Sequence, residues 1–502
     1  MSWLLAGACL AAAPVPGLPG EVESALKRAK LPPAALFAVV QEVGKEGGLL
    51  SWNDQAAVNP ASVFKLVTTY AALDLLGPAW SWSTPVYVSG TLRDGVLDGS
   101  VAIRGRGDPT LVVERVWLLL RRLQQLGLRE IRGDIVLDHS AFAPSARAPG
   151  DFDNEPFKPQ NVQPDALLMN FQSVTYSFAP EPALGIARVG VEPVLAGVQV
   201  DPVVPLSPGP CDDWRAALKP RLDEPTRVRF AGAYPLSCGE RSWPLATGDA
   251  SGYAARLVEQ LWRELGGRLT GRVRDGAVPA DARLLFEQPS RPLAEVVRDI
   301  NKFSNNAMAE QLFLSLAVAA PAPLAVTSPV VPASPASAPE SPVPPAMALP
   351  PPARPDDARE LLHRWLRQRF GERAARETVI DNGSGLSRDA RISARLLAQL
   401  LQAAWSSGVM PELMSSLPIS GTDGTLKRST ATPGRAHLKT GSLRDVAAVA
   451  GYVLSNSGRR YVLVAIVNHD NAAAARPAFD ALVQWAIHDT PNAGRCCSPA
   501  PP

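Results

Sequence analysis

Prolines are concentrated in one stretch of this chain, and that stretch limits what the chain can fold into. Residues 321–355 hold 13 of the 49 prolines, interleaved with Ala, Ser and Val. Each proline fixes its own φ and lacks an amide donor, so this stretch forms neither a helix nor a central strand. We predict an exposed, partly extended loop. A segment that binds a partner is the alternative.

The remaining composition excludes several classes of protein. The 502 residues suffice for two or three domains, and 46% of them are apolar. Past the N-terminus no apolar run reaches about 18 residues, which excludes a multi-span membrane protein. The 50 Lys and Arg residues nearly balance the 48 Asp and Glu residues. This balance argues against a nucleic-acid-binding protein driven by bulk positive charge.

The N-terminus has the pattern of a secretory signal, although a basic segment in front of it is lacking. Residues 3–13 are apolar and end in three alanines before Pro14. Ala13 is the expected cleavage point of a signal-like segment at 1–20, and lipidation of Cys9 is the alternative. We therefore expect a periplasmic protein without a stable transmembrane anchor.

Four cysteines remain once this segment is removed. Cys211 and Cys238 can close a loop of about 27 residues in an oxidising compartment, which would stabilise the fold by about 3 kcal/mol. Two free thiols are the alternative. Cys496 and Cys497 lie in a polar tail at 491–502 and receive no role. Neither the cysteines nor the histidines show metal-ligand spacing, so we expect no metal and no cofactor.

The order of expected elements predicts an α/β (α+β) fold with one sheet assembled from both ends of the chain. Strands are expected at 35–43, 446–454 and 461–467, and the last two form a hairpin. Helices are expected between the two ends and at 472–488. From about residue 84 to 283, short strands alternate with turns. We interpret this block as one or two modules inserted into a sheet covered by helices.

Ser62 and Lys65 form the first pair that suggests chemistry. Three positions apart on a helix, they share one face, and Asn59 followed by Pro60 is a good helix start. A serine hydroxyl is a weak nucleophile until a base takes its proton. A lysine can be that base when burial or another cation lowers its pKa. Alone, the pair is a weak signal, because it arises by chance in most chains of this length.

Two later segments complete a pattern of three motifs. They are, in chain order, Ser304-Asn305-Asn306 and Lys439-Thr440-Gly441-Ser442. The first precedes an expected helix and the second precedes the C-terminal hairpin. Each is common alone, but the order Ser-x-x-Lys, Ser-x-Asn, Lys-Thr-Gly is specific. It is the motif set of penicillin-interacting serine enzymes.

The flanking sequences narrow the resemblance. They are Gly107-Asp-Pro-Thr-Leu111, Asp381-Asn-Gly-Ser-Gly-Leu-Ser-Arg388, Gly421-Thr-Asp-Gly-Thr-Leu426 and Lys439-Thr-Gly-Ser-Leu443. With them, the chain resembles the D-alanyl-D-alanine carboxypeptidase/endopeptidase family over residues 25 to 488. These enzymes are class C low-molecular-mass penicillin-binding proteins (peptidase family S13). The resemblance implies a β-lactamase/transpeptidase-like domain, an antiparallel sheet covered by helices, split by two inserted, mainly β domains.

The resemblance also divides the chain. It implies a transpeptidase-like domain at 21–85 and 288–490, a first insert at 86–160 and 240–287, and a second insert nested within it at 161–239. The proline-rich stretch falls between the second and third motifs, where relatives carry a shorter connection. An elaborated surface loop there need not disturb the site.

Catalytic roles follow from the resemblance. Ser62 would attack the D-Ala-D-Ala carbonyl and become acylated, while Lys65 accepts its proton. Ser304 and Lys439 would relay a proton to the leaving D-alanine. Asn306 would hold the substrate amide and help to fix Lys65.

Binding roles are implied in the same way. The backbone N–H groups of Ser62 and Ser442 would form the oxyanion hole. The hydroxyls of Thr440 and Ser442, with the charge of Lys439, would bind the terminal carboxylate. Gly441 would leave room for an extended substrate along the strand edge.

Two assignments stay open. In relatives an acidic residue near 148–155 faces the diamino-acid side chain of the substrate; Glu155 is our choice, with Asp151 and Asp153 as rivals. A solvated acidic loop is the alternative. Ser384 either supports the site from a loop or belongs to a plain turn.

The function implied by the resemblance is that of a serine-type D-Ala-D-Ala carboxypeptidase and/or endopeptidase. It would act through an acyl-enzyme on peptidoglycan peptides that end in D-Ala-D-Ala or carry D-Ala cross-links. β-Lactams would be its covalent inhibitors. The alternatives are a non-catalytic penicillin-binding scaffold or sensor, and a β-lactamase-like hydrolase.

Overall fold

A computed structural model describes residues 17–319 and 351–489 of the chain. Most of the signal-like segment, the proline-rich stretch up to residue 350 and the tail from residue 490 lie outside this part. The predictions for Cys9, Cys496 and Cys497 lie outside it as well.

One five-stranded antiparallel sheet combines the two ends of the described chain. Its strands are β1 (Leu36–Glu42), β2 (Leu50–Trp52), β3 (Ala436–Leu443), β4 (Val446–Leu454) and β5 (Arg460–Asn468). They lie in the order β2-β1-β5-β4-β3, so β1 pairs with β5 and β3 is an edge strand. The predicted assembly of one sheet from both ends is confirmed.

Helices cover both faces of this sheet. They are α1 (Gly20–Arg28), α2 (Lys65–Leu76), α3 (Leu293–Phe303), α4 (Asn306–Ala319), α5 (Pro355–Glu377), α6 (Ala394–Trp405), α7 (Met410–Ser416) and α8 (Arg476–His488). Helices α1 and α8 pack on one face, and the other six share a core on the opposite face. Residues 461–467 of β5 are all buried because alternate residues enter the two cores. Within 17–319 and 351–489, no helix is long and apolar enough to cross a bilayer.

The segment between the first two motifs builds further sheets. One has the strands Ser81–Val88, Val101–Arg104, Ile135–Asp138, Val273–Asp275 and Arg283–Pro292. Another has Ser173–Glu181, Ile186–Glu192, Val203–Ser207, Tyr234–Pro235 and Arg241–Ala246. The mainly β character of the inserted region is confirmed, while the domain boundaries themselves stay a prediction.

Short strands and helices complete this region. A four-stranded sheet comprises Thr91–Arg93, Val96–Asp98, Glu130–Ile131 and Arg268–Leu269, and a three-stranded sheet comprises Gln199–Val200, Pro220–Glu224 and Arg227–Phe230. Ala57–Val58 pairs with Ile392–Ser393 in a two-stranded sheet. The helices are Val113–Gln125, Trp214–Leu218 and Ala250–Glu264.

Cys211 and Cys238 form a disulfide in the structure, 27 residues apart in sequence. Cys238 is buried, and Cys211 packs against the same apolar core. The bridge joins the segment before the helix Trp214–Leu218 to the segment after the strand Tyr234–Pro235.

Candidate active site

Ser62 lies in a 3₁₀ turn that leads directly into α2. The turn spans Ala61–Phe64, and the Asn59 Oδ1 accepts a hydrogen bond from the Ala61 amide at 2.9 Å. Ala61 has a φ of 47°, in the left-handed region that residues with a Cβ rarely adopt. Asn59 therefore supports the start of the 3₁₀ turn with its side chain, and the α-helix begins at Lys65 instead of at Pro60.

Lys65 is fully buried behind the serine. Its Nζ donates to Ser62 Oγ at 2.9 Å, to Asn306 Oδ1 at 2.6 Å and to the Ser384 carbonyl at 2.6 Å. Burial lowers the pKa of Lys65 to about 7, and the negative charge of Glu310 partly opposes that shift. A lysine with this pKa is substantially neutral near pH 7, so it can accept a proton from a serine hydroxyl.

The second and third motifs meet at Lys439. Its Nζ donates to Ser304 Oγ at 2.8 Å and to the Thr440 carbonyl at 2.6 Å. Burial, together with the charge of Lys65, lowers the pKa of Lys439 well below its usual value. Ser304 lies between α3 and α4 with a φ of 57° and a ψ of 37°. This left-handed conformation ends α3 and allows α4 to start at Asn306.

Position 441 requires glycine because β3 passes close to the 3₁₀ turn Ala61–Phe64. This turn carries Ser62, the predicted nucleophile, and is called the nucleophile turn below. A Cβ on Gly441 would lie 2.6 Å from the Pro60 carbonyl oxygen and 3.1 Å from the Ser62 amide nitrogen. The sequence analysis predicted that Gly441, which has no side chain, leaves room for an extended substrate along the strand edge. The structure adds that the protein's own backbone already occupies the space that a side chain would need.

A cavity of about 830 Å³ opens over these residues. The motif residues that line it are Ser62, Ser304, Asn305, Asn306, Thr440, Gly441 and Ser442. The two lysines lie behind this wall, where they contact Ser62 and Ser304 and are shielded from solvent. The structure thus gathers the three motifs around one cavity large enough for a peptide.

Glu155 does not line this cavity. Its half-exposed carboxylate lies 3.6 Å from Lys158 Nζ, and its carbonyl accepts a hydrogen bond from Asn161. Asp151 accepts from the Ala148 amide, Asp153 accepts from Asn161, and neither rival lines the cavity. This loop contributes Pro159 and Gln160 to the lining instead. The assignment of an acidic residue to the substrate side chain stays a prediction.

Glu310 is a buried acid that sequence reasoning missed. Its Oε1 accepts from Ser384 Oγ at 3.0 Å and its Oε2 accepts from Arg147 at 2.8 Å. Burial raises the pKa of Glu310, and the charge of Arg147 opposes this. Ser384 in turn supplies the carbonyl that binds Lys65. Glu310 could have been found, because it lies one helical turn after Asn306 and is the one charged residue of α4.

Thr425 is a second residue that the motifs did not single out. Its hydroxyl accepts a hydrogen bond from the Thr440 hydroxyl at 2.7 Å, and it lines the cavity. The loop that carries Thr425 is held by an ion pair of 2.6 Å between Asp423 and the buried Lys302, two residues before Ser304. The loop between α7 and β3 is therefore part of the wall beside the third motif.

A sheet covered by helices, with a serine beside a buried lysine of lowered pKa, defines a serine hydrolase of the transpeptidase-like class. The family model described as the D-Ala-D-Ala carboxypeptidase 3 (S13) family matches residues 18–330 and 352–488. The chain belongs to this family. The predicted enzyme class, a serine-type D-Ala-D-Ala carboxypeptidase, is confirmed.

Two characterised relatives align over most of the chain. A D-alanyl-D-alanine carboxypeptidase from an Actinomadura species is 26% identical over 505 residues, which covers 95% of this chain and 86% of the relative. D-alanyl-D-alanine carboxypeptidase DacB of Haemophilus influenzae is 24% identical over 443 residues, or 86% of this chain and 84% of the relative.

Solved structures show the same fold. Penicillin-binding protein 4 (DacB) of Haemophilus influenzae superposes with a TM-score of 0.69 at 22% identity, covering 92% of this chain and 99% of that protein. A second structure of that protein, complexed with a β-lactam, gives a TM-score of 0.65 at 22% identity and covers 93% and 100% of the two chains. The predicted fold class is confirmed.

Proposed function

We propose that this enzyme removes the C-terminal D-alanine from peptidoglycan peptides, and cuts D-Ala cross-links, through an acyl-enzyme on Ser62. The observation that carries the proposal is the 2.9 Å hydrogen bond between Ser62 Oγ and the buried Lys65 Nζ, at the wall of a peptide-sized cavity. Carboxypeptidase and endopeptidase reactions would share this acyl-enzyme and differ only in the leaving amine.

Acylation begins at the serine hydroxyl. Lys65, in its neutral form, takes the proton of Ser62 as Oγ attacks the carbonyl carbon of the penultimate D-alanine. The ester bond to Oγ forms and the amide C–N bond breaks. The leaving nitrogen then receives a proton through the hydroxyl of Ser304, which is hydrogen-bonded to Lys439 Nζ at 2.8 Å. Lys65 gives up the proton that it took from Ser62 into this relay, so it is neutral again before deacylation.

Deacylation restores the enzyme. A water molecule attacks the ester carbonyl carbon and loses a proton to the base, the ester C–O bond breaks, and Oγ regains a proton. The backbone N–H groups of Ser62 and Ser442 stabilise the oxyanion in both steps. The close passage of β3 against the nucleophile turn at Gly441 supports this pairing of donors.

Penicillin should inhibit the enzyme by acylating the same serine. Two observations support this expectation, namely the β-lactam complex of a relative and the membership of this chain in the family. The test is a fluorescent penicillin added to the native protein and to Ser62→Ala, followed by mass analysis of muropeptides digested by each. We expect label and loss of D-alanine with the native protein only. Equal labelling of both proteins would overturn the assignment of the nucleophile.

The same experiment separates the alternatives. A penicillin-binding scaffold or sensor would take the label but leave muropeptides intact. A β-lactamase would take the label and release the hydrolysed drug within seconds, so that labelled protein would not accumulate.

We also propose that the enzyme works in the periplasm. The substrate of the family lies outside the cytoplasmic membrane, and the Cys211–Cys238 disulfide is typical of an oxidising compartment. Cell fractionation by osmotic shock tests this location, together with alkylation of free thiols. Recovery of the protein in the cytoplasm with both thiols free would contradict the proposal.

A further inference from the structure

Arg476 is a cation in the wall of the catalytic cavity that the three motifs leave unused. It is the first residue of α8, is exposed, and lines the same cavity as Ser62, Thr440 and Ser442. Among the described residues its guanidinium has no hydrogen-bond acceptor or carboxylate partner. The acid one turn further on, Asp480, accepts instead from Ser429 and Thr430.

The register of the sheet places Arg476 on the same side as two motif hydroxyls. Thr440 pairs with Val449, and Val449 belongs to the core beneath α1 and α8. Directly paired residues of an antiparallel sheet project to the same face. The side chains of Thr440 and, two residues on, Ser442 therefore project toward the face that α8 covers, where Arg476 lines the cavity.

Lys439 projects to the opposite face. It pairs with Ala450, which belongs to the core beneath the other six helices. Its Nζ already donates hydrogen bonds to Ser304 Oγ and to the Thr440 carbonyl. Because burial lowers the pKa of Lys439 well below its usual value, this lysine is a poor counter-charge for an anion in the cavity. The hydroxyls of Thr440 and Ser442 are neutral.

We propose that Arg476 binds the carboxylate of the leaving group, together with the hydroxyls of Thr440 and Ser442. The inference rests on the proposed function, because it concerns the same substrate at the same site. A guanidinium presents a planar fork that matches a carboxylate with two hydrogen bonds. The ligand class is a carboxylate on the carbon next to the leaving nitrogen, as in a terminal D-amino acid or in the ring of a penicillin.

The test compares ligands with and without this carboxylate. The native protein, Arg476→Gln and Arg476→Lys are assayed with a peptide ending in D-Ala-D-Ala, and for acylation by benzylpenicillin and by its methyl ester. Arg373→Gln is the matched control, since Arg373 lies on the surface of α5 beside Glu377 and does not line the cavity.

We expect Arg476→Gln to lower kcat/KM for the peptide and the acylation rate constant for benzylpenicillin by about 10- to 100-fold, the effect of a lost charge-assisted hydrogen bond. The methyl ester of benzylpenicillin should react equally fast with the native protein and with Arg476→Gln. Arg476→Lys should recover part of the lost acylation rate for benzylpenicillin. An equal loss for benzylpenicillin and its ester, or no loss for either, would overturn the role of Arg476. A native protein that neither hydrolyses the peptide nor reacts with penicillin would overturn the proposed function itself.

Discussion

The Nζ of Lys65 and the Oδ1 of Asn306 lie 2.6 Å apart, although 241 residues separate them in the chain. The same asparagine directs its Nδ2 toward the Gln160 carbonyl at 3.4 Å, so its amide joins the buried lysine to the loop that borders the cavity. Lys65, the proposed general base, is therefore positioned by the second motif and not only by its own helix.

Replacement of Asn306 by leucine should slow acylation. The variant Asn306→Leu keeps the size of the side chain but removes one of the three acceptors of Lys65 Nζ. We expect the acylation rate constant for penicillin to fall about 10- to 100-fold, since a hydrogen bond to a charged group contributes about 1.5–3 kcal/mol. Stopped-flow measurement with fluorescent penicillin checks this. Unchanged acylation in a folded variant would contradict the positioning role of Asn306.

The pH dependence of acylation should follow Lys65. Because its pKa is lowered to about 7, the neutral base becomes more abundant as pH rises through that value, and the rate should rise with it. Glu310 favours the charged lysine, so Glu310→Gln should lower the pKa of Lys65 further. The rising limb of the pH–rate profile should then move to lower pH.

A second variant and a control accompany the pH–rate profile of Glu310→Gln. Arg147→Gln removes the cation that opposes the raised pKa of Glu310, so Glu310 should become more easily protonated and the limb should move in the same direction. Glu377→Gln, in a surface ion pair on α5, should leave the profile unchanged. A limb that moves to higher pH in Glu310→Gln would contradict this electrostatic account.

Gly441→Ala should damage both stability and acylation. The added Cβ would lie 2.6 Å from the Pro60 carbonyl, so β3 or the nucleophile turn must shift. We expect a loss of about 1–3 kcal/mol, typical of overpacking, and slower acylation. The control is Gly408→Ala, in an exposed loop with nothing within 4 Å of the new Cβ. Thermal unfolding and penicillin acylation rates measure the two effects, and equal behaviour of the two variants would refute the steric argument.

Loss of the disulfide should reduce stability and spare catalysis. The double variant Cys211→Ser/Cys238→Ser opens a loop of 27 residues, and the chain-entropy model gives a destabilisation of about 3 kcal/mol. The bridge lies in the inserted region, and neither cysteine lines the catalytic cavity. Urea unfolding and penicillin labelling should therefore separate the two properties. A parallel loss of labelling in folded protein would show that the bridge also supports the site.

The sequence was informative where function depends on short spacings. Ser62 and Lys65 meet because three positions separate them on one turn. The three motifs identified part of the cavity lining, but not residues such as Gln160 or Arg476. The contacts of Glu310 and Ser384 depend instead on how α4 packs against a distant loop, which no local pattern encodes. Glu155 could not be placed from its local sequence, because an acidic loop can either line the cavity or contact its own residues. In the structure Glu155 lies beside Lys158 and does not line the cavity.

The pairing of β1 with β5 brings Leu36 opposite Val467. During synthesis, β1 and the nucleophile turn emerge long before their partner strands β5 and β3. All the strands of the inserted sheets are synthesised before β5 and β3. Contacts of such long sequence separation form late. The site therefore assembles only after Lys439 and the final hairpin have arrived. We therefore expect an unfinished or truncated chain to carry the serine without the contacts of Lys439 and β3, and so to be inactive as a cell-wall hydrolase.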